Sequence, residues 1–235
     1  MRVFAIGDPH FAESVAKPMD IFGPVWEGHR NRLLEGWAEA VSDGDLVVVP
    51  GDLSWAMSLE EAAADLKLIG DLPGRKVVVR GNHDYWWSAI GKVRAALPPG
   101  MWAVQNDSVV IDGVAVAGTR GWTCPGSPEF TAEDQKIYDR ELNRLALSLA
   151  TIPADARAVI VALHFPPTNS RLEPSGFTSL IEAMPRRPDA VVYGHLHGPE
   201  AARGAIGELN GISYRLVACD QVDFTPVELL SVATD

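Results

Sequence analysis

Lys76-Val77-Val78-Val79-Arg80-Gly81-Asn82-His83-Asp84 runs from a short β-branched stretch through a glycine into an amide, an imidazole and a carboxylate. The valines read as a buried strand. Gly81 allows a tight turn, so the polar side chains fall just beyond the strand's carboxyl end. The same arrangement recurs along the chain. Arg2–Gly7 leads into Asp8-Pro9-His10, and Leu46–Val49 into Gly51-Asp52. Val159–Leu163 leads into His164, and Ala190–Tyr193 into Gly194-His195-Leu196-His197. Five of the six histidines belong to this series.

Helical spacing separates the first strands. Arg30–Val41 places Leu33, Leu34, Trp37 and Val41 on one face. Ser58–Leu72 begins with Ser58 as N-cap and Glu61 three residues later, the pattern of a capping box. Trp87–Leu97 reads as a third helix. Three strand–helix cycles predict parallel strands joined by right-handed crossovers. The second half is richer in strands. Ser108–Ile111 and Val114–Ala117 flank Asp112-Gly113, a hairpin signal. Glu133–Ala150 is a long helix, and Tyr214–Ala218 and Val227–Leu230 are further strands. No internal repeat or long linker interrupts the chain, so residues 1–235 are expected to form one α/β domain. Ligands of open parallel sheets bind beyond the carboxyl ends of the strands. The polar series is therefore expected to converge on one edge.

The donor types say what would bind there. Carboxylate, imidazole and a single amide suit Mn, Fe or Zn. A closed structural zinc site would draw on cysteines, and Cys124 and Cys219 stand apart from the series as expected free thiols. The two oxygens of Asp52 can each serve one metal. Two cations roughly 3.5–4 Å apart clamp the attacking and leaving oxygens of an in-line displacement.

Bulk properties narrow the partners. The net charge is −11, which disfavours duplex nucleic acid and anionic membranes. No apolar run approaches the roughly 18 residues that span a bilayer, and the first strand runs straight into Asp8 without a cleavage site. A cytoplasmic protein acting on a small soluble molecule is expected.

In order and spacing, the motifs Asp8-Pro9-His10, Gly51-Asp52, Gly81-Asn82-His83-Asp84, His164 and Gly194-His195-Leu196-His197 resemble the calcineurin-like metallophosphoesterase superfamily. The stretch Arg80–Trp87 is similar to a group of small bacterial phosphohydrolases. The resemblance implies a four-layer α/β/β/α sandwich of two mixed sheets flanked by helices. It implies one divalent metal on Asp8, His10, Asp52 and His197, and a second on Asp52, Asn82, His164 and His195. His83 would stand beside the metals, stabilising the phosphoryl group or protonating the leaving oxygen, with Asp84 orienting it. A metal-bridging hydroxide would attack a small phosphate ester, a phosphodiester or nucleotide-type substrate being favoured. A non-catalytic binding module and a nuclease acting on short single strands are the competing readings on this fold.

Several residues outside the signature are candidates for substrate contact. Trp86 and Trp87, with Trp55 and Trp122, could wall a slot for a base or aryl group. Arg120, like Arg80 and Arg171, carries the forked donors that grip phosphate. The loop from Phe11 to Gly28 could fold over the metals and bring His29 or Asp20 to the substrate.

Overall fold

A computed structural model describes residues 1–199, 201–204 and 206–233. Parallel strands β1 (Arg2–Ala5), β2 (Leu46–Val49), β3 (Arg75–Val78) and β4 (Met101–Ala103) lie side by side in that order. Helices α1 (His29–Ala40), α2 (Leu59–Asp71) and α3 (Ile90–Ala96) connect them. The last strand, β11 (Val227–Ser231), closes this sheet antiparallel to β1.

The second sheet has the order β5-β6-β7-β8-β10-β9. Its parallel centre is β6 (Val114–Thr119), β7 (Ala158–Leu163), β8 (Ala190–Tyr193) and β10 (Ile212–Leu216). Strands β5 (Ser108–Ile111) and β9 (Gly207–Leu209) flank it antiparallel. Helices α4 (Ala132–Ala150) and α5 (Gly176–Glu182) cover its outer face. Both sheets are mixed, as the resemblance implies.

Side-chain alternation builds the layers. Leu46 and Val48 of β2 point into a core shared with Val114 and Val116 of β6, Ile160 and Ala162 of β7, and Val192 of β8. Val47 and Val49 point the other way, onto Leu33 and Trp37 of α1 and Leu66 and Ile69 of α2. Val161, Leu163, Val191 and Tyr193 likewise pack outward beneath Leu145 of α4 and Ile181 of α5. Both faces of the central strands are covered, so their sequences are continuous apolar runs.

Local differences from the sequence reading have local causes. Helix α3 begins at Ile90, not Trp87. Trp86 and Trp87 are held in a turn, their indoles bonded to Asp84 Oδ1 and Gln105 Oε1, each at 2.9 Å. Ser58 caps α2 as expected, but the Glu61 carboxylate returns to the Met57 N–H, one residue earlier than in a closed box. Thr131 with Asp134 closes a full capping box on α4. The loop after Phe11 contains two short 3-10 turns, Met19–Phe22 and Pro24–Trp26. Strands β4 and β9, three residues each, and the seven-residue α5 are too short for a periodicity to reveal. Among the described residues no helix is long and apolar enough to cross a membrane.

Candidate metal centre

Every member of the polar series lies just past the carboxyl end of a parallel strand. Asp8 and His10 follow β1, Asp52 follows β2, and Asn82 and His83 follow β3; His164 follows β7, and His195 and His197 follow β8. Asp8, His10, Asp52 and His164 are buried. Asp52 Oδ2 stands 3.7 Å from His10 Nε2 and 3.4 Å from His164 Nε2. Asp8 Oδ1 stands 3.7 Å from His197 Nε2 and 3.7 Å from His164 Nδ1. Asn82 Oδ1 faces His164 Nε2 at 2.6 Å and His195 Nδ1 at 2.9 Å. Two groups of potential ligands overlap here: Asp8, His10 and His197, and Asp8, Asp52 and His164.

The backbone is bent to make this possible. Asp8, His10, Asp52 and His195 all have φ between 49° and 71°. Non-glycine residues seldom adopt this left-handed region, at a cost of about 1–3 kcal/mol each. Pairing of the two loops offsets it, with Asp8 N–H on Gly51 O, His10 N–H on Asp52 O and Phe11 N–H on Leu53 O, all at 3.0 Å. The glycines matter mainly for space. A Cβ on Gly81 would collide with the Asp52 carboxylate, and one on Gly194 with the Asp8 carboxylate.

The donor set fits divalent cations. His164 Nδ1 lies 3.0 Å from Pro50 O, the natural acceptor for an Nδ1 proton. That tautomer turns the Nε2 lone pair towards Asn82 Oδ1 and Asp52 Oδ2. Acceptors facing one another repel, and a cation between them reverses the sign. His10 Nδ1 is buried with no hydrogen-bond partner. Burial pushes His164 down to about 3 and lowers His10 and His195, so these imidazoles are neutral and ready to ligate. Burial pushes Asp52 up to about 6 and raises Asp8 as well. Nearby positive charge is what such carboxylates lack.

Asp84 is placed differently from the expectation. Its carboxylate accepts from the backbone N–H of Gly81 (2.7 Å), Asp52 (2.9 Å), Leu53 (2.9 Å) and Ser54 (3.3 Å), and from the Trp86 indole. Both oxygens serve to lock the loops after β2 and β3 together. The His83 ring turns elsewhere, with Nδ1 3.4 Å from the Tyr85 hydroxyl and its centroid 4.4 Å from that of Trp55. His83 is half-buried at the rim, and its backbone N–H donates to Asp52 Oδ1 at 2.7 Å.

The expected substrate contacts need correcting. Trp86 and Trp87 are 1% and 3% exposed with satisfied indole nitrogens, so they are core residues. Arg120 lies over the Trp122 ring and 3.4 Å from the buried Glu141 carboxylate, which also takes a 2.8 Å bond from Arg144. Arg171 is paired with Glu173. His29 opens α1 half-buried against Trp26 and Phe224, with ring centroids 5.6 Å and 6.4 Å away. Asp20 is exposed. Trp55, by contrast, does reach the site and stacks on His10 with centroids 4.9 Å apart.

Two contributors escaped the sequence reading. Asp220 Oδ1 accepts from His197 Nδ1 at 2.8 Å and braces that imidazole from behind. Burial opposes the charge of His197, but the Asp220 and Asp8 carboxylates outweigh it and raise its pKa. Asp220 follows the strand reading Tyr214–Ala218, so the strand-then-carboxylate pattern was present there too. Trp26, in the loop, stands edge-on to His197 with centroids 5.2 Å apart, and nothing in its neighbouring sequence marks it.

A two-sheet sandwich with an Asp/His cluster at its strand ends defines a class of metal-binding phosphoesterase folds. The calcineurin-like phosphoesterase family model matches residues 1–199, and the chain belongs to that family. Among solved structures, phosphopantetheinyl hydrolase (PptH) from Mycobacterium tuberculosis aligns at 13% identity. That alignment covers 98% of this chain and 96% of that one, with a TM-score of 0.55. A protein of unknown function from Aquifex aeolicus, AQ665, aligns at 15% identity over 97% and 95% of the two chains, with a TM-score of 0.50. At such identities the likeness is one of fold. No curated protein sequence gives a significant match.

Proposed function

We propose that the chain, acting as one catalytic domain, is a metal-dependent phosphoesterase that hydrolyses a small soluble phosphate ester in the cytoplasm. The observation that carries this reading is Asp52 Oδ2, which faces His10 Nε2 and His164 Nε2 from one buried position. Asp8, His10, Asp52 and His197 would hold one cation; Asp52, Asn82, His164 and His195 would hold the other. When bound, such a pair supplies charge neutralisation for phosphoryl oxygens and a lowered pKa for water. Mn, Fe and Zn all suit the donors.

The chain's own residues do the rest. His83 stands at the mouth beside Trp55, where its ring can give a proton to a leaving oxygen. Trp26 and Trp55 shield the ligands from bulk water on that side. Asp84 fixes the loops that carry Asp52 and His83.

The test is cation content together with turnover of generic phosphate mono- and diesters. His83→Ala is expected to keep its cations and lose about 10²–10⁴-fold in kcat. A protein that binds cations and turns over none of these esters would be a binding module, and the proposal would fail.

A further inference from the structure

We propose, building on the phosphoesterase reading, that the substrate is a phosphodiester with two unlike arms: one apolar, the other uncharged and rich in hydroxyl or amide groups. Two clefts open from the metal centre, and His197 lines both. A phosphoryl group held at the cluster can therefore send one substituent into each.

The first cleft, of about 240 Å³, is walled by Met19, Phe22, Trp26 and Trp55 and reaches His10 and His83. Its lip is apolar as well, with Phe22 60% exposed and the neighbouring Ile21 72% exposed. The Trp55 indole donates to Met19 Sδ at 3.2 Å, so its one polar group is already satisfied. Lys17 lies over that ring, 4.9 Å from the centroid, and is not among the residues lining the cleft. Large exposed apolar side chains beside a reactive centre mark a surface that a ligand covers.

The second cleft, of about 380 Å³, extends from His195 and His197 between the segments that follow β6 and β7. Thr123, Ser127, Thr168 and Ser170 line it with hydroxyls, and Phe165 lies along one wall, its ring centroid 4.0 Å from that of His195. Thr168 is 4% exposed, and its Oγ1 has no hydrogen-bond partner. Ser127 Oγ accepts from the Ser170 N–H at 3.2 Å and keeps its own proton to donate. A buried hydroxyl without a partner is costly unless a ligand or water satisfies it. Among the described residues neither lining includes a lysine or arginine, and Glu129 adds a negative charge to the second. That lining favours neutral hydroxyls over a second phosphate. A monoester would fill one cleft only.

The experiment uses the full chain loaded with Mn²⁺ and three probes, hexyl glyceryl phosphate, hexyl phosphate and glycerol phosphate, with methyl glyceryl phosphate and hexyl methyl phosphate as the comparison diesters for the two arms. The diester is expected to exceed both monoesters in kcat/KM by about tenfold or more, the scale on which a filled pocket discriminates. Phe22→Asp is expected to reduce the preference for a hexyl over a methyl arm, and Thr168→Val the preference for a glyceryl over a methyl arm. Ser170→Trp, at an exposed position, plugs the polar cleft and should also reduce the glyceryl preference if Thr168→Val proves unstable. Monoesters turned over as well as the diester, or arm preferences unmoved by these variants, would overturn the two-armed substrate and leave the phosphoesterase reading standing. No turnover of any probe with cations bound would overturn both.

Discussion

The two sheets bring different chemistry to the metal centre. The first sheet supplies the carboxylates, Asp8 and Asp52, and presents them from left-handed backbone with the Asp84 anchor behind. The second sheet supplies imidazoles only, His164, His195 and His197. Two of these are braced at their far nitrogen, His164 by Pro50 O and His197 by Asp220. One half carries the carboxylates, the other the braced imidazoles, and neither is a site alone. They are joined by a seam. Gly7 after β1 bridges Ala218 after β10, the His195 N–H donates to the Asp8 carboxylate, and the inter-sheet valines lie beneath. Cation binding should therefore depend on how the sheets face each other more than on how the helices cover them.

The hardest way to break the seam is at Gly194, on the second sheet but against the carboxylate of the first. Gly194→Ala is expected to abolish tight cation binding in a folded protein, read by calorimetric titration with Mn²⁺; undiminished affinity would mean that the Asp8 contact is incidental. A smaller effect is expected from Asp220→Asn, which loosens one propped imidazole. It should cost about 10–100-fold in cation affinity, the usual range for such supporting carboxylates.

Core packing gives a finer comparison. Ile160→Ala between the sheets and Leu145→Ala under α4 should each cost about 2–5 kcal/mol in urea unfolding. Both side chains are fully buried. Only the first is expected to weaken cation binding as well. Equal effects on affinity would show that the seam has no special part.

The smallest effect is in pH. Asp52 is pushed up to about 6 by burial, whereas His164 is pushed down to about 3. Between pH 7 and pH 5 the metal-free site thus takes up protons on Asp52 while the His164 ring stays neutral. Cation affinity should fall across that window, since a cation must displace those protons. NMR signals of the His164 ring in metal-free protein should show no titration there. A ring titrating near 6 would assign the proton to the wrong half of the site.

Much of this was written locally in the chain. Apolar runs such as Leu46–Val49 and Val159–Leu163 announce strands, and the residues that follow them announce a strand-end site. That was enough for the layers and for the Asp and His side chains that meet at the strand ends, but not for Asp220 or Trp26. Asp84 shows where local reading stops. Its neighbour in sequence is His83, yet three of its five partners are the N–H groups of Asp52, Leu53 and Ser54 some thirty residues earlier. Trp86 and Trp87 beside the motif proved to be core, while Trp26 and Trp55 proved to be walls.

By itself the sequence determined which groups could ligate and at which strand ends they would stand, because strand periodicity and donor chemistry are properties of short segments. Only the tertiary structure decided which carboxylate faces which imidazole, which ring is propped by which oxygen, and how two clefts of opposite character meet at His197. Those relations join residues far apart in the chain, such as Pro50 with His164, and they exist only once the sheets have packed.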